Sequence, residues 1–175
     1  MTPAVVWLTG LSGSGKSTLA DWIANELRSR GVPVELLDGD GMRRVFPNTG
    51  FTKAERDAHI KRVGYLASRL EFHEVTVIAS FVSPYRESRD FVRGLCKNFI
   101  EIHVSTPLEE CEQRDVKGLY IRARRGEIPN FTGINDPYEP PVAPELVIDT
   151  SRMTIEDAGR QVLDVLDRRL RRGRG

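Results

Sequence analysis

The string Gly10-Leu-Ser-Gly-Ser-Gly-Lys-Ser17 constrains the fold of this chain more than any other part of its sequence. It matches the pattern G-x-x-x-x-G-K-[ST] and lies between the continuous apolar run 4–9 and the amphipathic stretch 16–30. A buried strand, a glycine-rich loop and a helix in this order are typical of a phosphate-binding P-loop. Its glycines let backbone N–H groups point at phosphate oxygens, and the helix N-terminus adds partial positive charge. The string therefore predicts an α/β fold that binds a nucleoside triphosphate.

The rest of the chain keeps alternating short apolar runs with longer amphipathic stretches. Apolar runs of this kind are typical of strands that are buried on both faces of a sheet. Four of them follow the first one, at residues 34–37, 75–80, 99–104 and 146–149. Five strands separated by helices predict a P-loop NTPase fold, which is a five-stranded parallel sheet with helices on both faces.

Helix-start signals mark where several of the helices are expected to begin. Thr52 and Glu55 have the spacing of a capping box, which predicts a helix that runs to about Phe72. Ser83 before Pro84 predicts an N-cap followed by proline in the first turn. The string Thr106-Pro107-x-Glu109 predicts another helix start of the same type.

Length and composition favour one globular domain over residues 1–175. A chain of 175 residues with 39% hydrophobic and 29% charged residues can bury a core without metal or disulfide crosslinks. One segment, about 115–144, breaks the strand–helix alternation and is rich in proline, glycine and polar residues. A loop this long inside a compact domain is usually functional, so we expect it to be a lid over the active site.

Charge and cysteine content exclude several classes of function. The net charge of +1 provides no basic field for nucleic acid. The two cysteines, Cys96 and Cys111, are too few for a disulfide framework or a cysteine zinc site. No stretch approaches eighteen consecutive apolar residues, so no membrane span is predicted. We therefore expect a cytoplasmic protein that binds neither nucleic acid nor membrane.

The P-loop residues indicate which chemistry the chain performs. Lys16 is placed to reach the β- and γ-phosphates, and the Ser17 hydroxyl is placed to bind Mg²⁺. The guanine-reading motif Asn-Lys-x-Asp of GTPases does not occur, and one domain of 175 residues is too small for motor or AAA-type ATPases. A short P-loop chain with a lid indicates a kinase that acts on a small molecule.

Two carboxylates, Asp38 and Asp40, follow the second predicted strand. Ligands of open α/β sheets bind at the carboxyl ends of the strands, and at this spacing both side chains can face one crevice. We expect Asp40 to orient the acceptor hydroxyl and to hold Mg²⁺ through water, with Asp38 in support. The alternative is that the two residues form only a polar turn after a strand.

Several strings between Val5 and about Thr150 add to the P-loop. They are Leu37-Asp-Gly-Asp40, Gly50-Phe51, Arg56, Phe81–Glu87, Cys111–Asp115, Lys117–Tyr120, Gly126–Gly133 and Pro137-Tyr-Glu139. On these strings the chain resembles the adenylyl-sulfate kinase (APS kinase) family. The resemblance implies an enzyme of sulfate assimilation that transfers the ATP γ-phosphate, with Mg²⁺, to the 3′-hydroxyl of adenylyl sulfate. The products would be ADP and 3′-phosphoadenylyl sulfate.

The resemblance also implies two sets of binding residues. The ATP side comprises Gly10, Ser12, Gly13, Ser14, Gly15, Lys16, Ser17, Thr18 and Arg114. The adenylyl sulfate side comprises Asp40, Arg43, Phe51, Arg56, His59, Val82, Ser83, Lys117, Asn130 and Phe131. In the second set Phe51 and Phe131 would sandwich the adenine, while Arg43, Arg56 and Lys117 would hold the phosphosulfate and the ribose.

Three positions depart from the family pattern: Gly41 and Pro129 replace an asparagine and a lysine, and His59 replaces an asparagine of the substrate-binding set. We expect His59 to donate a hydrogen bond to the substrate, whose negative charge would raise the pKa of His59. KM for adenylyl sulfate would then fall as the pH decreases from about 8 toward about 6. The alternative is a histidine on the helix surface that never meets the ligand.

Other functions and assemblies stay open at this point. A sister kinase could act on another nucleotide anion, and a non-catalytic nucleotide-binding domain could regulate a fused sulfurylase. The resemblance is compatible with a homodimer and with association or fusion with ATP sulfurylase.

Overall fold

The computed structural model describes residues 2–47 and 49–172. Its five strands form one parallel sheet in the order β2-β3-β1-β4-β5. The strands are β1 Val5–Thr9, β2 Val34–Asp38, β3 Thr76–Ser80, β4 Phe99–Val104 and β5 Leu146–Ile148. The predicted five-stranded parallel sheet is therefore confirmed, and each predicted strand lies within a residue or two of its expected bounds.

Helices cover both faces of this sheet, as predicted. They are α1 Lys16–Ser29, α2 Gly39–Val45, α3 Lys53–Phe72, α4 Arg86–Leu95, α5 Leu108–Arg114, α6 Leu119–Arg124 and α7 Ile155–Arg172. Within the residues that the structure describes, no helix is both long enough and apolar enough to cross a membrane.

Helices on both faces of the sheet explain why Val5–Leu8 of β1 form a continuous apolar run. Side chains of β1 point alternately to opposite faces, so Val6 and Leu8 pack beneath α1 and α7. Val5 and Trp7 pack on the other face, beneath α3 and α4. Since both faces are covered by helices, the strand has no polar face, and its apolar run is continuous.

Two of the predicted helix starts are wrong. Helix α4 begins at Arg86, not at Pro84, and its first N–H group donates to the Glu139 carboxylate at 2.8 Å. The Ser83 hydroxyl instead accepts a hydrogen bond from the Trp7 indole at 3.1 Å. Helix α5 begins at Leu108 without a side-chain cap. At α4 the cap comes from Glu139, far along the chain, whereas at α5 no side chain takes the place of the expected cap.

The other local signals lead to three findings. The capping box of Thr52 and Glu55 at the start of α3 is confirmed. The segment 115–144, called the lid below, is not a continuous loop, because α6 lies inside it. Helix α2 was not predicted, since its polar, glycine-containing sequence has no amphipathic period.

Candidate active site

A cleft of about 1330 Å³ opens at the carboxyl ends of β1, β2 and β3. Its walls are the P-loop (Gly10–Ser17), the β2–α2 junction, the start of α3, the β3–α4 connection and the lid. Most of the predicted site residues line this cleft together: Ser12, Gly13, Gly15, Lys16, Ser17, Thr18, Asp38, Asp40, Arg43, Phe51, Arg56, His59, Val82, Ser83, Arg114, Lys117, Asn130 and Phe131. Gly10 and Ser14 belong to the P-loop but are not part of the lining, and Ser14 is fully buried.

The P-loop path depends on glycine at two positions. A Cβ at Gly10 would lie 2.3 Å from the Val104 carbonyl oxygen, so no side chain fits there. Gly15 ends the loop at φ 93°, a left-handed conformation that residues with side chains rarely adopt. Its Cβ would also approach the Thr150 side chain at 3.0 Å. The glycines therefore let the loop run close to β4 and β5.

Side chains outside the P-loop fix the direction of its peptide groups. Tyr120 donates its hydroxyl hydrogen to the Ser12 carbonyl at 2.7 Å, and Thr150 donates to the Ser14 carbonyl at 2.8 Å. Thr106 also donates to the Ser14 carbonyl, at 3.0 Å. Because the C=O and N–H of a trans peptide point in opposite directions, these contacts also set where the following N–H groups point. The loop donors are therefore preorganised by protein contacts.

These three residues were not predicted as functional from the sequence. Tyr120 was assigned no role of its own, although it lies in the string Lys117–Tyr120 that supports the family resemblance. Thr106 suggested a helix cap, and Thr150 had no signal of its own. The local sequence around a hydroxyl does not show which carbonyl it will contact when that carbonyl lies in a distant segment of the chain.

Arg114, which the sequence predicts on the ATP side, lines the cleft and contacts the P-loop directly. Its guanidinium donates to the Gly13 carbonyl at 3.3 Å and to the Thr150 hydroxyl at 2.8 Å. It also donates to the Thr150 carbonyl at 3.2 Å. In this arrangement Arg114 supports the loop and adds positive charge beside it.

Lys16 is held in place by the loop that carries it. Its ammonium donates to the Leu11 carbonyl at 2.6 Å and to the Ser14 hydroxyl at 3.3 Å. The side chain is nearly fully buried, and burial lowers the pKa of Lys16 to about 8. A bound phosphate would favour the charged ammonium and so raise the pKa of Lys16 again.

Asp38 and Asp40 have separate roles in the structure. One Asp38 carboxylate oxygen accepts hydrogen bonds from the N–H groups of Asp40 and Gly41, at 3.0 and 2.8 Å, and so caps α2. A Cβ at Gly41 would lie 2.7 Å from the other Asp38 oxygen, so glycine leaves room for this carboxylate. Asp40 is 68% exposed and forms an ion pair with Lys117 of the lid. Asp40 is therefore the carboxylate available to a ligand.

Phe51 presents an aromatic ring beside two cations. It is 51% exposed, and the guanidinium carbons of Arg43 and Arg56 lie 4.3 and 5.2 Å from its ring centroid. Arg43 donates to the Thr49 and Gly50 carbonyls, and Arg56 donates to the Phe51 and Asn130 carbonyls. The two arginines thus shape this loop and give the wall a positive charge.

Phe131 lines the cleft from the lid, and Ser83 lines it from the β3–α4 connection. The Phe131 ring lies edge-on to Tyr120, with centroids 5.0 Å apart and planes at 81°. Ser83 has φ 38°, which is an uncommon conformation for a residue with a side chain. Its hydroxyl is engaged by Trp7 inside the protein, so Ser83 can serve a ligand only through its backbone.

His59 is buried, at 2% exposure, and not on the helix surface. Neither ring nitrogen has a hydrogen-bond partner, and the ring packs edge-on against Phe46 and Phe81. Burial lowers the pKa of His59 to about 4, with smaller effects from Arg43 and Arg62. The sequence led us to expect that a bound anion would raise the pKa of His59. In the structure desolvation disfavours the imidazolium, so any such rise would begin from a pKa far below the ordinary value of histidine. His59 is neutral near pH 7.

The lowered pKa makes folding stability depend on pH. The unfolded chain binds a proton at the ordinary pKa of 6.5, and the folded chain only near 4. Stability should therefore fall as the pH decreases from about 6.5 to about 4.5, by roughly 2–3 kcal/mol from this residue. His59→Asn should remove this part of the slope, as measured by denaturant unfolding at several pH values.

The lowered pKa of His59 also changes the expected pH dependence of KM for the acceptor. With His59 neutral, KM for the acceptor should not change through this residue between about pH 6 and 8. An unfolding slope that is identical in His59→Asn and wild type would contradict the buried neutral imidazole. So would a fall of KM toward pH 6 that disappears in the variant.

The cleft suits a magnesium ion that arrives with a nucleotide. Within the described part of the chain, no group of three or more His, Cys, Asp or Glu side chains could hold a metal ion. The Ser17 hydroxyl and the carboxylates of Asp38 and Asp40 line the cleft as oxygen donors. Mg²⁺ usually keeps several waters and binds one or two protein oxygens together with phosphates. The donor set therefore fits Mg²⁺ bound to a nucleoside triphosphate.

Comparisons with known proteins show which family the chain belongs to. Residues 2–149 match the family model described as adenylylsulphate kinase. An adenylyl-sulfate kinase of Gloeothece citriformis is 49% identical over 163 residues, which cover 93% of each chain. One from a Synechococcus strain is 52% identical over 153 residues, 87% of each chain. The solved structure of the Mycobacterium tuberculosis APS kinase in complex with AMPPNP and APS has a TM-score of 0.91 and 37% identity. It matches over 95% of this chain and 98% of that one.

Proposed function

The chain belongs to the adenylylsulphate kinase family, and from this premise we propose that it transfers the γ-phosphate of ATP to the 3′-hydroxyl of adenylyl sulfate. The products are ADP and 3′-phosphoadenylyl sulfate. The observation that carries the proposal is that one cleft holds both a P-loop and the exposed carboxylate of Asp40, beside an aromatic and cationic wall.

The donor nucleotide binds along the P-loop. Its β- and γ-phosphates accept hydrogen bonds from the loop N–H groups at the start of α1, and Lys16 neutralises their charge. Ser17 and Asp40, the latter through water, would hold Mg²⁺, which when bound would offset the negative charge that develops on the phosphates during transfer. The lid covers the cleft and excludes water that would otherwise compete as acceptor.

The acceptor binds on the opposite wall. Arg43, Arg56 and Lys117 hold its phosphosulfate and ribose because guanidinium and ammonium groups pair with such anions. The 3′-hydroxyl meets the Asp40 carboxylate, which orients it and accepts its proton as the bond to phosphorus forms. Val82, Ser83 and Asn130 contribute wall contacts. The buried His59 ring offers one N–H donor and one acceptor.

The aromatic residues Phe51 and Phe131 form two platforms for the adenine of the acceptor. Stacking on one platform is worth roughly 1–3 kcal/mol per base. Changing either residue to alanine should therefore raise KM for adenylyl sulfate by about one to two orders of magnitude, with a much smaller change for ATP. Steady-state kinetics with one substrate varied at a time measures both values.

A suitable control for this prediction is Phe72→Ala, which removes an exposed aromatic ring at the end of α3, away from the cleft. It should leave both KM values unchanged. Equal effects of Phe51→Ala or Phe131→Ala on the two substrates would indicate a damaged lid or core, and would count against the platform roles.

A coupled ADP-release assay tests the substrate assignment. The purified chain is given MgATP and, in turn, adenylyl sulfate, AMP, ADP, a nucleoside-diphosphate derivative and no acceptor. We expect adenylyl sulfate to give the highest kcat/KM by a wide margin. Faster turnover with another nucleotide anion would favour the sister kinase, and no turnover with any acceptor would favour a non-catalytic regulatory domain.

A further inference from the structure

Tyr120 contacts both halves of the cleft. Its hydroxyl donates to the Ser12 carbonyl of the P-loop at 2.7 Å, and its ring lies edge-on against Phe131 with centroids 5.0 Å apart. On the basis of the function proposed above, we propose that Tyr120 is a positioning residue that couples the two nucleotide sites. Each nucleotide then binds more tightly when the other is present.

The lid holds Tyr120 in one orientation. The Asp115 carboxylate accepts hydrogen bonds from the N–H groups of Tyr120 and Ile121, at 3.0 and 3.1 Å. Gly118, with φ 64°, turns the chain into α6 just before them. The tyrosine itself is 2% exposed. A side chain fixed at both backbone and ring can transmit a displacement from one neighbour to the other.

The lid has contacts with both sides of the cleft, but Tyr120 alone joins it to the P-loop by a hydrogen bond. Among the described residues, the bond from the Tyr120 hydroxyl to the Ser12 carbonyl is the one hydrogen bond between the lid and the P-loop. On the acceptor side, Lys117 pairs with Asp40, and the Asn130 carbonyl accepts from Arg56 at 2.7 Å. The Tyr120 hydroxyl is therefore the direct polar link from the donor side to the lid.

This link gives the coupling a physical cause. When phosphates bind the N–H groups of the P-loop, they fix the peptide that follows Ser12, and with it the carbonyl that accepts from Tyr120. The fixed tyrosine ring then holds the edge of Phe131 in the position that receives the adenine of the acceptor. Burial raises the pKa of Tyr120, so its hydroxyl stays a donor. By linkage, the effect has the same size in both directions.

The test uses Tyr120→Phe, which removes the hydroxyl and keeps the ring on Phe131. Isothermal titration calorimetry measures Kd for adenylyl sulfate with and without saturating Mg–AMPPNP, and Kd for Mg–AMPPNP with and without adenylyl sulfate. In the wild type we expect each nucleotide to tighten binding of the other by one common factor. In Tyr120→Phe this factor should fall about two- to tenfold, which is the effect of one hydrogen bond.

Tyr138→Phe is the matched control. Tyr138 also has a hydrogen-bonded hydroxyl, 3.0 Å from Thr9, but it does not line the cleft. Its coupling factor should equal that of the wild type. Thermal unfolding of both variants without ligand shows whether each is folded before binding is measured.

Each outcome is decisive for the coupling. An unchanged factor in Tyr120→Phe, a factor of one in the wild type, or an equal loss in Tyr138→Phe would overturn the role of Tyr120. In those cases normal turnover of adenylyl sulfate leaves the proposed function intact. A wild type that neither binds nor phosphorylates adenylyl sulfate would overturn both.

Discussion

Lys16→Ala is expected to lower kcat by at least ~10²-fold, the scale of losing one preorganised charge contact in a water-excluded site. The Lys16 ammonium is buried and held in place by the Leu11 carbonyl and the Ser14 hydroxyl of the P-loop. These contacts fix the position of the charge beside the backbone N–H groups of the P-loop. Initial rates at saturating MgATP and adenylyl sulfate measure the change.

Lys53→Ala controls for the loss of a lysine as such. Lys53 is exposed and pairs with Asp57 on α3, outside the cleft lining, so its replacement should leave kcat unchanged. More than half of the wild-type turnover in Lys16→Ala would defeat the assignment of the P-loop as the donor site.

Asp40→Asn should also cause a large loss of kcat with an intact fold. The amide keeps the shape of the side chain but removes the charge that orients the acceptor hydroxyl and accepts its proton. Circular dichroism and thermal unfolding should match the wild type, because Asp40 is mostly exposed and does not cap α2. Rapid-quench measurement of a single turnover separates this chemical step from product release.

Two further variants sharpen this prediction. Lys117→Gln removes the ion pair between Lys117 and Asp40 but keeps the Asp40 carboxylate. A smaller loss of kcat in Lys117→Gln than in Asp40→Asn would show that the carboxylate itself is required. Asp38→Asn keeps an oxygen that can cap α2 and removes only the carboxylate charge at the helix N-terminus, so it should lower stability by no more than about 0.3–1 kcal/mol. If Asp38→Asn loses most of its kcat while Asp40→Asn keeps a kcat close to that of the wild type, the roles assigned to the two residues must be exchanged.

The parts of the fold that local sequence determines were predictable. The run 99–104 became β4 with the same bounds, because its mostly apolar residues suit a strand that is buried on both faces. The P-loop and the capping box at Thr52 were also visible, since each combines a residue pattern with a nearby backbone contact.

Features that depend on distant partners were not predictable. Glu139 caps α4 from the far end of the lid, and this displaced the cap expected at Ser83. Burial of His59 depends on Phe46 and Phe81, which belong to other elements. The role of Tyr120 depends on a carbonyl more than a hundred residues earlier in the chain. A single sequence does not state such pairings, because they exist only after the sheet has assembled.

The proposed transfer to a 3′-hydroxyl is tested most directly with ATP labelled at its γ-phosphate and two acceptors that differ by one atom. Adenylyl sulfate and its 3′-deoxy analogue are each incubated with the enzyme, and the labelled products are separated and counted. We expect label to move to adenylyl sulfate, giving a product that a 3′-nucleotidase converts back to the acceptor with release of labelled phosphate. The 3′-deoxy analogue should bind and inhibit but take up no label. Equal labelling of the two acceptors, or label that the nucleotidase cannot release, would contradict transfer to the 3′-hydroxyl.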